Sequence, residues 1–150
     1  MAISQGNKIL ASDVAAEIAK LNSRISNIES KMQYVEAKVY SSWTGSASER
    51  TNGKVYKALP SGVSNVKKVE FYFNETPYMR YSSRHEWNCT NVSAKETVVL
   101  SPGSSITMEN PRNAWEMGVG TDGRPYMYLY DREDLGGADA YWNIALTFYM

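Results

Sequence analysis

SDVAAEIAKLNSRISNIESKMQYVEAKV, residues 12–39, carries apolar side chains at Val14, Ile18, Leu21, Ile25, Ile28, Met32, Val35 and Val39. The steps alternate between four and three, the 3.5-residue repeat with which helices wind around one another. With Val14 at heptad position d, Ile18, Ile25, Met32 and Val39 fall at a, and Leu21, Ile28 and Val35 at d. Isoleucine at both a and d favours three or four strands over two. Arg24 falls at g and Glu29 at e, and Lys31 and Glu36 repeat the pattern one heptad on. A basic residue five positions before an acid is too far round one helix for an i,i+3 or i,i+4 contact, but matches a g-to-e pairing between parallel chains in register. The stripe is also narrower than the face with which a helix packs on a globular domain. These residues predict a parallel trimeric coiled-coil stalk over 12–42. Val14, Ile18, Leu21, Arg24, Ile25, Ile28, Glu29, Met32, Val35 and Val39 form its interface.

Arg24-Ile25-Ser26-Asn27-Ile28-Glu29 also resembles the trimerisation motif of short parallel coiled coils, and it lies in the correct heptad phase. Outward from the stalk, Ser12 or Asp13 supplies an N-cap, and Asp13 and Glu17 place negative charge in the first turn. Residues 1–11 mix isolated Ile3, Ile9 and Leu10 with polar residues and Gly6, which predicts an extended arm. On the other side, Thr44 to Ser48 and Asn52-Gly53 are turn and linker chemistry, so 43–53 is expected to be a linker.

From residue 54 to 150 the helical period vanishes, and β-branched and aromatic runs alternate with Gly, Pro, Asn and Ser. Val69, Phe71 and Phe73 alternate with polar residues or Tyr72, predicting a strand with one buried face. Glu96–Leu100 and Ser105–Glu109 flank Ser101-Pro102-Gly103-Ser104, predicting a hairpin. Trp115–Val119 leads through the turn Thr121-Asp122-Gly123-Arg124-Pro125 to a strand at Tyr126–Asp131. Trp142, Ile144, Leu146, Phe148 and Met150 alternate with their neighbours in a last strand. Short strands with frequent turns and no intervening helices predict an all-β knob, a sandwich or jelly roll. A stalk of under four heptads is marginal alone, so the knob is expected to trimerise as well.

Composition narrows the function. Among 150 residues the formal net charge is zero, with acids and bases interspersed, so no basic stripe points to nucleic acid. One cysteine, Cys89, cannot form an intrachain disulfide, which fits assembly in a reducing cytoplasm. Met1–Lys8 lacks the apolar core of a signal peptide, and no run approaches the roughly 18 apolar residues of a membrane span. Neither export by that route nor membrane insertion is expected.

Catalytic patterns are sparse. His85 lies four residues before Cys89, so a thiol–imidazole pair is conceivable, but one loop or strand histidine and one small buried thiol account far better for the spacing. A zinc site lacks ligands, with one histidine and one cysteine in the chain. Asp131, Glu133, Asp134 and Asp139 could supply the carboxylate pair of a glycosidase, but they miss the calcium-loop spacing and fit a solvated loop better. Gly118–Gly123 is glycine-rich but opens no helix, so it reads as a turn instead of a phosphate cradle. No enzyme, cofactor or metal site is expected. Eleven tyrosines and four tryptophans are the remaining signal, since both residue types are enriched where surfaces meet partners. Tyr126, Tyr128 and Tyr130 alternate with Met127 and Leu129, predicting three rings on one outward face as a knob interface or a sugar platform.

Lys8-Ile9-Leu10-Ala11-Ser12-Asp13-Val14 resembles the opening of small structural proteins encoded among bacteriophage virion genes. The resemblance covers about the first 40 residues and the overall layout. It implies an N-terminal peptide attached to another virion protein, a short trimeric coiled coil and an outward β-knob. The expected function is therefore a homotrimeric tail or head fibre of a virion, with a knob that binds the host cell surface or a glycan. A capsid decoration protein without receptor binding is the near alternative, and a glycan-cleaving enzyme is the distant one.

Overall fold

The structure is a computed structural model that describes residues 2–33, 37–48, 53–82, 85–129 and 138–150; for 2–10 and 31–33 it describes the backbone. It divides into two compact units, Met1–Glu36 and Ala37–Met150.

The first unit is one helix, α1 (Ala2–Gln33). The long parallel trimeric coiled-coil stalk expected over 12–42 is overturned. The chain holds this one helix among its described residues, no other helix lies beside it, and the remainder is sheet. Two boundaries move with it. The expected arm at 1–11 is helical from Ala2, because nothing before Ser12 but Gly6 opposes propagation, at about 1 kcal/mol, and there is no proline. At the other end α1 stops at Gln33, and Val39 lies in a strand. Val39 and Trp43 continue the helical spacing, but Val39, Ser41, Trp43, Gly45 and Ala47 also alternate with exposed residues, and that period is the one the structure uses. The expected linker at 43–53 is strand as far as Ser48.

Among its described residues the second unit has ten strands in two antiparallel sheets: β1 (Lys38–Ser48), β2 (Lys54–Tyr56), β3 (Lys68–Phe73), β4 (Tyr78–Arg80), β5 (Glu86–Asn88), β6 (Thr97–Leu100), β7 (Ser105–Glu109), β8 (Ala114–Val119), β9 (Pro125–Tyr128) and β10 (Asp139–Tyr149). The smaller sheet runs β2-β9-β8-β7. The larger is organised by β10, which pairs with β1 along its whole length. Its other edge is shared end to end by β3, opposite Ile144–Tyr149, and β4, opposite Asp139–Tyr141. Outside these lie β6, paired with β3, and β5, paired with β4.

Both sheets turn their apolar alternation toward one core. Val69, Phe71 and Phe73 of β3, and Ile144, Leu146 and Phe148 of β10, join Trp115 and Met117 of β8 and Met127 of β9 there, all at most 1% exposed. The all-β reading of the C-terminal part thus stands as a β-rich domain, and the last strand falls where its alternation placed it. The expected hairpin does not form. β6 pairs with β3 in the larger sheet and β7 with β8 in the smaller, so Ser101–Ser104 is a corner between sheets. Gly103 turns it at φ 83° and donates its amide to the Val119 carbonyl at 2.7 Å. A turn sequence marks a reversal of direction without saying which strand lies alongside. The turn at 121–125 does form, with Gly123 at φ 86° and its amide donated to the Gly120 carbonyl.

Candidate functional site

The line of β3 and β4 is interrupted where β10 reaches Trp142 and Asn143. Phe73 faces Ile144 and Tyr78 faces Tyr141, so the four residues Asn74–Pro77 stand opposite two. Such a bulge lifts backbone out of a sheet and re-aims its side chains. Pro77, which has no amide to donate, suits this break in the ladder. The bulge is fixed by hydrogen bonds. Asn74 donates its amide to the Asn143 carbonyl and its side-chain Nδ2 to Asn143 Oδ1, both at 3.0 Å. Thr44 Oγ1 donates to the same Oδ1 at 3.4 Å, and Thr76 Oγ1 accepts the Ala94 amide at 3.0 Å.

The result is a cleft of about 230 Å³, lined by Thr44, Gly45, Glu75, Thr76, Tyr78, Tyr141, Trp142 and Asn143. Tyr78 and Tyr141 are directly opposite across β4 and β10 and stack with centroids 5.1 Å apart and planes 15° from parallel. Arg80 lies over Tyr141 at 5.4 Å, its guanidinium held by Glu86 Oε1 at 2.6 and 3.0 Å. That carboxylate raises the guanidinium pKa further. Gly45 lies close beside the indole of Trp142, where an added Cβ would stand 3.0 Å from the ring. The Trp142 indole N–H is buried and has no acceptor among the described residues. Sequence reading used Tyr141 and Asn143 only as the polar half of an alternating strand. The available clue was Asn74-Glu75-Thr76-Pro77, a proline-ended break between two apolar strand segments.

The expected helix interface is a surface in this chain. Val14, Ile18, Leu21, Ile25 and Ile28 are 50–56% exposed along α1, and Arg24 and Glu29 flank them with no ion-pair partner among the described residues. The helix's own pair is Lys20 with Glu17 at 3.4 Å, both well exposed. Met32 is helical in backbone, Val35 lies outside the described residues, and Val39 is part of β1 opposite Phe148.

Of the three tyrosines expected to share an outward face, Tyr130 lies outside the described residues. Met127 and Leu129 are buried, as the alternation requires, but Tyr126 is only 6% exposed. Its ring folds over Gly118, its direct partner on β8, with Lys54 4.3 Å above it and Tyr56 at 5.6 Å. Burial, and then Glu116, push its phenol pKa up. Tyr128 is half-buried. The expected row of open rings is thus reduced by the burial of Tyr126, because a glycine opposite a tyrosine leaves the ring a bed to lie in. An added Cβ at residue 118 would stand 2.5 Å from the Tyr126 phenol. Gly118→Ala is therefore expected to cost about 1 to 3 kcal/mol as an overpacking change. The same substitution in a Tyr126→Ala background should cost little, which a double-mutant cycle by urea unfolding measures.

Cys89 is buried and donates Sγ to Asn91 Oδ1 at 3.1 Å, while exposed His85 uses its backbone carbonyl to accept the Tyr81 amide. Asp131, Glu133 and Asp134 lie outside the described residues, and Asp139 faces Arg80 across β10 and β4. Asp122, in the glycine-rich turn, accepts from the Arg124 amide and guanidinium, which hold its carboxyl below the usual range. Among the described residues no group of three or more His, Cys, Asp or Glu side chains could hold a metal, and no helix is long and apolar enough to cross a membrane. No protein-family model, curated protein or solved structure matches the chain.

Proposed function

We propose that this protein is a homotrimeric structural appendage of a bacteriophage virion that presents its β-unit to the host cell surface. The observation that carries the reading is the apolar stripe of α1, five aliphatic side chains left half exposed on one face of a 32-residue helix. Every residue from 11 to 30 is exposed, and an apolar stripe on such a helix marks a surface for another molecule to cover. Arg24 and Glu29 favour a second copy as the cover, because they flank the stripe and stand too far apart to pair within one helix. The likeness of Lys8–Val14 to phage virion proteins supports the particle as the setting, although these residues belong to a helix and not to an extended arm.

The cleft supports binding over cleavage. Glycoside hydrolysis uses two carboxyl groups about 5 to 9.5 Å apart, and among the described residues Glu75 is the one carboxylate lining this cleft. A decoration protein without a receptor would leave the cleft without a use. Location decides between virion and non-virion readings: antibody against the β-unit is expected to label purified particles at a defined position in electron micrographs. Particles free of label, with the protein confined to the infected-cell lysate, would reject the assignment.

A further inference from the structure

We infer that the cleft at the break in the larger sheet binds a single uncharged hexopyranose ring. This rests on reading the β-unit as the part that meets a host surface. Size sets the first limit. Drug-sized ligands occupy pockets of about 300 to 1,000 Å³, so a cleft of about 230 Å³ suits one sugar ring. The lining supplies both halves of sugar recognition. Tyr78, braced by its stack on Tyr141, offers a ring against which the C–H face of a pyranose can pack, and each ring ends in a hydroxyl.

Polar groups follow from the hydrogen bonds of the bulge. Asn143 Oδ1 takes the protons of both Asn74 and Thr44, which fixes the orientation of its amide and leaves Nδ2 as a donor. Glu75 offers a carboxylate to accept from sugar hydroxyls, and Thr44 and Thr76 add hydroxyl oxygens. Because the bulge is tied at both its Asn74 and Thr76 ends, little ordering remains to be done on binding. Charge then selects among sugars. Among the described residues Glu75 is the sole charged one in the lining, and nearby Arg80 is committed to Glu86. An anionic sugar would meet a carboxylate with no cation to offset it.

The test uses the full chain and saturation-transfer NMR with the methyl glycosides of glucose, galactose, mannose and N-acetylglucosamine, set against glucuronate and sialic acid. At least one neutral glycoside is expected to bind with Kd on the order of 1 mM, with the acidic sugars about tenfold weaker or more. Tyr78→Ala should weaken the neutral sugar roughly tenfold. Glu75→Gln, at an exposed loop position, should keep neutral binding and bring acidic sugars to within a few-fold of it. The inference is overturned if no neutral glycoside binds at tens of millimolar, if acidic sugars bind as well to the unaltered protein, or if Glu75→Gln leaves the selectivity unchanged. Label on the particle with no sugar binding would overturn this inference alone and leave the virion assignment standing.

Discussion

Ile25→Asp is expected to reduce the proposed assembly to single chains while the β-unit stays folded. Ile25 sits in the middle of the exposed stripe, with Leu21 and Ile28 one turn to either side. Once copies cover the stripe, each aspartate would have to surrender its water inside an apolar seam, and an unpaired buried carboxylate costs several kcal/mol. Ile25→Ala is the milder form, at about 2 to 5 kcal/mol for each buried side chain. Arg24→Ala should matter less, since exposed ion pairs contribute roughly 0.2 to 1 kcal/mol. Light scattering at micromolar concentration should return 16.9 kDa for Ile25→Asp and a multiple of it for the unaltered protein. Near-ultraviolet circular dichroism should be unchanged, because the Trp and Tyr core belongs to the other unit. An unaltered protein that already runs as a single chain would remove the ground for the proposed assembly.

How much of this molecule could be read in advance depended on whether a residue's role is local. Val69, Phe71 and Phe73, and Trp142 to Phe148, alternate strictly, and alternation over several residues fixes both strand and face without knowledge of the partner. The stripe on α1 was equally plain, but its continuation to Val39 was not. A valine, a tryptophan and small residues spaced for both periods let the pairing of β1 with β10 decide, and that pairing joins residues 91 to 111 apart in sequence. Ser101–Ser104 shows the same limit. The turn was legible and the sheet to which each flanking strand belongs was not.

The cleft was invisible for a further reason. Its lining comes from β1, from the bulge and from β10, and the site exists only because four residues oppose two across a register set by distant strands. None of Thr44, Glu75, Tyr141 or Asn143 carries a motif. Tyr126 marks the opposite failure, since alternation set it apart from buried Met127 and Leu129 and yet it is buried as well. That burial depends on a glycine lying directly across the ladder. Side-chain direction is a property of one strand, whereas exposure is a property of two.

Trp115→Ala is expected to cost about 3 to 5 kcal/mol, as large aromatic truncations in cores do. Trp115 is wholly buried on β8, opposite Met108, and belongs to the core that both sheets share. Against a total stability of about 5 to 15 kcal/mol for a domain, the loss would lower the thermal midpoint by on the order of 10 to 20 °C or unfold the β-unit outright. Trp115→Phe separates two parts of that cost. The indole N–H is buried with no acceptor among the described residues, and an unsatisfied buried donor is itself a burden of about 1 to 3 kcal/mol. Phenylalanine removes the donor and keeps most of the ring, so the relief of the first offsets part of the lost packing. Its cost should be less than half that of alanine in urea unfolding. Equal costs for the two variants would mean that the full indole outline, and not apolar bulk alone, holds the two sheets in register.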